Sequence, residues 1–122
     1  MNIILNSKFF NELSPAELGE KLKTFGYDGV DLEDRQFAST EPDYLDRLRK
    51  HCDDLGLPIG YVGVIGGFGQ GMNGDDEGHM AAIRKWTAVC SHMKIPFIRL
   101  IGCAPGEGES DEDAWPRTRE RF

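Results

Sequence analysis

Phe25-Gly26-Tyr27-Asp28-Gly29-Val30-Asp31-Leu32-Glu33 carries a helix end through a short turn into a strand, and the chain repeats the move twice. Leu55-Gly56-Leu57-Pro58-Ile59-Gly60 begins 30 residues later, and Met93-Lys94-Ile95-Pro96-Phe97-Ile98 begins 38 residues after that. Repeated units of this length join parallel strands through right-handed helical crossovers. The chain therefore reads as an α/β protein.

Working outward, each unit has its own start signals. Ile3-Ile4-Leu5 is a short apolar strand closed by Asn6-Ser7-Lys8. Ser14-Pro15-Ala16-Glu17 is a capping box with proline at the first helical position, and Leu13 and Leu18 take the staple positions. Leu18, Leu22 and Phe25 form the expected buried stripe, and Gly26 ends the helix. Thr40-Glu41-Pro42-Asp43 opens a second helix with Tyr44, Leu45, Leu48, Cys52 and Leu55 on one face. Ile59–Ile65 is the third strand, about Asp75 to Met93 the third helix, and Phe97–Ile101 the fourth strand. Ser110-Asp111-Glu112-Asp113 caps a fourth helix, in which Pro116 is expected to kink or break the first turns.

Two architectures fit four such units: a flavodoxin-like open sheet, or the first half of a (β/α)₈ barrel, whose complete form needs roughly 250 residues. Strands covered by helices on both faces read as near-continuous apolar runs. Here Asp31 and Glu33 alternate with Val30 and Leu32, and Arg99 stands between Ile98 and Leu100. One apolar and one charged face suits a barrel wall; an edge strand with a wet face gives the same pattern. Asp31 and Arg99 are expected to share the charged face and pair there as an interior ion pair.

At 122 residues the chain makes one domain, 1–122, and not two. The formal charge of −7 argues against a nucleic-acid partner, which requires a basic surface, and against adhesion to an anionic membrane. No apolar run approaches the ~18 residues of a membrane span, and Met1–Leu5 leads directly into polar residues, so the expected location is cytoplasmic. Cys52, Cys90 and Cys103 lack metal or disulfide spacing, and the first two fall on apolar helix positions as small hydrophobes.

In parallel βα folds of the barrel type, chemistry gathers at the C-terminal ends of the strands. Asn6, Glu33, Gly66 and Gly102 are thus the candidates for lining a pocket. Gly69 to Gly74 spells G-x-G-x-x-G, but no acidic residue follows at the distance a dinucleotide site requires, so a mobile loop from Gly66 to Gly78 is the expectation. His51, His79 and His92 do not converge in sequence, the acidic run Glu107 to Asp113 feeds a helix N-terminus, and no nucleophile–base arrangement is present. No catalytic or metal-ligating residue is assigned.

The strings Ser14-Pro15-Ala16-Glu17-Leu18, Phe25–Leu32, Leu55–Ile59 and Ile95–Gly102, taken in order, resemble the opening half of sugar phosphate isomerases/epimerases of the xylose isomerase-like TIM-barrel superfamily. The resemblance spans essentially the whole chain. It implies a small carbohydrate substrate, a divalent metal of the Mn or Mg type, and a proton moved between adjacent carbons. In that family the metal ligands lie on strands of the second half, to which nothing in this sequence corresponds. The chain is accordingly expected to be inactive alone, to hold no tight metal, and to self-associate through open strand edges. A non-catalytic α/β module is the alternative, and a metal-dependent DNA-repair hydrolase on the same fold is disfavoured by the charge.

Overall fold

The computed structural model describes residues 3–10, 12–64, 76–100 and 108–121. Strands and helices alternate along the chain: β1 (Ile4–Asn6), α1 (Pro15–Thr24), β2 (Gly29–Glu33), α2 (Pro42–Leu55), β3 (Ile59–Val64), α3 (Asp76–Met93), β4 (Phe97–Leu100) and α4 (Asp111–Arg121). The four strands form one parallel sheet in the order β1-β2-β3-β4. That sequential order excludes the flavodoxin-type arrangement, in which the chain reverses direction across the sheet and places helices on both sides.

The helices lie side by side, α1 against α2 and α2 against α3. A single core joins Leu18 and Leu22 of α1, Leu45, Leu48 and Cys52 of α2, and Trp86, Val89 and Met93 of α3 to Val30, Leu32, Val62 and Val64 of the sheet. Phe37 meets Trp86 edge-on, ring centroids 5.0 Å apart, between the end of β2 and α3. Cys52 and Cys90 belong to this core, and burial pushes both thiols up to about 11.

The capping box of α1 forms as its sequence predicts, Ser14 accepting from Glu17 N–H while Glu17 accepts from Ser14 N–H. The three rhyming junctions prove to be one structure. Gly26, Gly56 and Lys94 have φ of +79°, +62° and +58°, and Tyr27, Leu57 and Ile95 each return an N–H to the carbonyl five residues back. This left-handed exit satisfies the last carbonyls of each helix and aims the chain at the next strand.

Several elements differ from the sequence reading. β1 runs Ile4–Asn6 rather than Ile3–Leu5, because Asn6 still pairs with Asp31 of β2. Phe25 is 71% exposed instead of completing the α1 stripe, since the helix has ended and Phe25 is its C-terminal cap. The cap of α2 is Glu41, one residue after Thr40, with no side-chain hydrogen bond; Ser39 accepts from its N–H instead. α4 runs through Pro116, which offers no N–H to the Glu112 carbonyl. Ile65 and Ile101 lie outside the described residues. Among the described residues no helix is long and apolar enough to cross a membrane.

Candidate functional site

The pleat sends Asn6, Asp31, Glu33, Tyr61 and Arg99 to the sheet face opposite the helices. One irregularity makes this set possible. The β2–β3 register shifts between Val30 and Leu32, so Ile59 and Val62 both face the core, while Tyr61 and Gly63 join the charged side.

Glu33 and Arg99 are both in register with Gly63, so the three lie on one level across β2, β3 and β4. Glu33 is completely buried and reaches over Gly63, where a Cβ would stand 2.6 Å from its Oε2. Its Oε1 lies 3.6 Å from Nη2 of Arg99. Neither carboxylate oxygen has a hydrogen-bond partner among the described residues. The guanidinium thus balances the charge of Glu33 without supplying the donors that a buried carboxylate needs.

Asp31 sits one level lower and leans over Gly60 in the same manner, its Oδ1 2.4 Å from where a Cβ would stand. Burial pushes its carboxyl above the ordinary value; the backbone N–H of Tyr61 and the charge of Arg99 pull it back down, and Glu33 adds to the rise. The expected Asp31–Arg99 pair is corrected here. Both residues share the face, but the ion-pair partner of Arg99 is Glu33. The reason is register: Asp31 is two residues back along β2, roughly 6.6 Å lower, whereas Glu33 is level with Arg99 across a position that has no side chain.

Tyr61 ties the two levels together. Its hydroxyl accepts from Nδ2 of Asn6 and, at 3.2 Å, from Nη1 of Arg99, whose guanidinium lies 5.4 Å from the ring centroid. Two accepted bonds leave the phenolic hydrogen as a donor to a third group. Oδ1 of Asn6 accepts from Lys8 N–H at 2.9 Å and fixes the turn after β1. Below that turn, Oε1 of Gln36 accepts from the Ser7 hydroxyl and, at 2.9 Å, from Glu33 N–H. This buried clip fastens the ends of β1 and β2 and so fixes where Glu33 starts.

Of the sequence candidates, Asn6 and Glu33 are brought to one face; Gly66, Gly102, Cys103 and the glycine motif from Gly69 to Gly74 lie outside the described residues. Tyr61, Ser7 and Gln36 were missed. Tyr61 had a signal, since Gly60-Tyr61-Val62-Gly63 sets two glycines beside a lone aromatic, but a bulge cannot be placed from one strand. Among the described residues no three His, Cys, Asp or Glu side chains converge on a common point, so the groups present do not fit a divalent metal site of their own.

No family model and no curated protein matches this sequence. The chemistry of the face follows from its groups: two carboxylates with acceptor capacity to spare, one guanidinium, one amide and one phenol, at the C-terminal side of parallel strands. These are donors and acceptors suited to a ligand rich in hydroxyl groups.

Proposed function

We propose that the charged face is one wall of a sugar-binding pocket, and that residues 1–122 supply the first half of a (β/α)₈ barrel of the sugar or sugar phosphate isomerase/epimerase kind. The observation that carries the reading is the face built on Glu33: a fully buried carboxylate, without a hydrogen-bond donor among the described residues, lies across a glycine and holds Arg99 in a polar face with Asn6 and Tyr61. Hydroxyl groups of a carbohydrate would bind Asn6, Tyr61 and Arg99, the partly exposed members of the face, over the buried Glu33 carboxylate that faces Arg99. Sequential strand order and helices on one side support the barrel, because a sheet wound in one direction curls toward closure.

The described residues bind and orient. A divalent metal, required for turnover in the family this chain resembles, finds no ligand set of its own among them, so no catalytic step is assigned. A non-catalytic binding module built on the same face is the second reading. Two buried free thiols and a charge of −7 support a cytoplasmic protein without nucleic-acid or membrane partners.

Calorimetric titration with aldoses, ketoses and their phosphates tests the binding claim. Saturable binding near millimolar strength is expected, lost in Glu33→Gln and Arg99→Leu but kept in Asp46→Asn on the far side of α2. A chain that ignores every sugar, or binds equally well without Glu33 and Arg99, would contradict it. Isomerisation by residues 1–122 alone would sink the second reading.

A further inference from the structure

Asn6, Tyr61 and Arg99 are each partly exposed, and two hydrogen bonds join them through the Tyr61 hydroxyl. The Asn6 amide has its sense fixed from the other side. Its Oδ1 accepts from Lys8 N–H, so the nitrogen is the atom turned to Tyr61. Arg99 is held twice more, by the Tyr61 ring, its centroid 5.4 Å from the guanidinium, and by the buried Glu33 carboxylate 3.6 Å from Nη2.

What the cluster has left to offer is hydrogens. The Tyr61 oxygen already accepts two bonds and a hydroxyl has two acceptor sites, so it keeps only its O–H. Asn6 keeps its second Nδ2–H, and of the five N–H groups of the guanidinium one goes to Tyr61. Glu33 does not absorb the others. Its Oε1 stands too far from Nη2 for a hydrogen bond, and its side chain is shut off from solvent.

A sugar hydroxyl satisfies only part of such a set, because it has two acceptor sites and brings a hydrogen of its own. A carboxylate has about four acceptor sites and no hydrogen, and its plane matches the guanidinium fork. The acceptors lie one level lower. Asp31, in register with Asn6 and partly exposed, turns its carboxylate to the same face.

We propose that Asn6, Tyr61 and Arg99 bind the carboxylate of a sugar acid, while a hydroxyl of the same molecule donates to Asp31. Phosphate shares the acceptor chemistry and is disfavoured by charge. Glu33 already balances Arg99, and Asp31 is a second carboxylate on the face, so a dianion meets more repulsion than a singly charged group. The inference rests on the reading of this face as a sugar-binding wall and names the part of the sugar that it grips.

Calorimetric titration of the full chain with gluconate, glucose and glucose 6-phosphate is the test, with lactate as a hydroxy acid that lacks the sugar body. Gluconate is expected to bind at least about tenfold more tightly than glucose or glucose 6-phosphate, the effect of one charge-assisted hydrogen bond. Tyr61→Phe and Arg99→Lys should each weaken gluconate more than glucose, so that the ratio falls toward one while circular dichroism stays unchanged. A ¹⁵N spectrum adds a readout that lost packing would not mimic: the Arg99 Nε–H signal should shift further with gluconate than with saturating glucose. Equal affinity for gluconate and glucose, tighter binding of glucose 6-phosphate, or a ratio unmoved by both variants would each overturn the proposal, and the first two would leave the sugar reading standing. Lactate bound as tightly as gluconate would keep the carboxylate site and contradict the sugar reading. A chain that ignores all four compounds would contradict both.

Discussion

Glu33 lies flat across β3 because position 63 has no side chain to stop it. Gly63→Ala would put a Cβ 2.6 Å from Oε2 and 3.1 Å from Cδ of a buried side chain that has nowhere to swing. The expected loss is about 1–3 kcal/mol, as for other overpacked interiors, measurable by urea denaturation. Removing Arg99 as Arg99→Leu leaves the Glu33 carboxylate buried without a cation. Breaking such a pair costs about 3–5 kcal/mol when both partners are buried, and less here because Arg99 is partly exposed; a change below experimental error would show that the pair is not coupled. Asp31 supplies a pH signature. Its folded value is raised, so the stability it contributes is complete below its unfolded value and is lost as pH rises through the folded one. Asp31→Asn should therefore match the parent chain near pH 3, below the ordinary Asp value of about 3.9, and be the more stable of the two at neutral pH. Thermal melts across that range check the sign. Alternation alone made the shared face of Asp31, Glu33 and Arg99 legible. Which carboxylate takes Arg99 was not, because it depends on inter-strand register and on a bulge set by packing rather than by local sequence.

At the scale of elements, three helices end in the same left-handed turn, and one of them does so without glycine. Gly26 and Gly56 accept that conformation readily, whereas Lys94 at φ +58° bears the strain of a Cβ in it. Lys94→Gly is expected to stabilise the chain by about 1 kcal/mol, and Gly56→Ala to destabilise it by a similar amount, as read from denaturant midpoints. Equal effects of one sign would mean that the exits are not equivalent. The rhyme of these junctions was visible in sequence because helix exits are written in local residues, and the capping box at Ser14 was visible for the same reason. The limits of β1 were not. A three-residue strand is defined by its neighbour, and Asn6 became strand by pairing with Asp31.

For the whole molecule, parallel units were legible from the spacing of those junctions, but strand order was not, since both candidate architectures use the same units. The order β1-β2-β3-β4 and the core on one side exclude the flavodoxin-like order and are consistent with the half-barrel arrangement. They leave a sheet with three helices packed on one face and, on the other, a set of polar side chains gathered around two glycines of β3. The account stands on that second face being a ligand surface. An amide-resolved NMR titration with a panel of aldoses and ketoses tests it most directly. The account predicts that the Asn6 side-chain amide and the backbone signals of Asp31, Gly60, Tyr61, Gly63 and Arg99 shift together and saturate, while α1, α2 and α3 stay still. Shifts confined to the helices, or none at millimolar sugar, would contradict it.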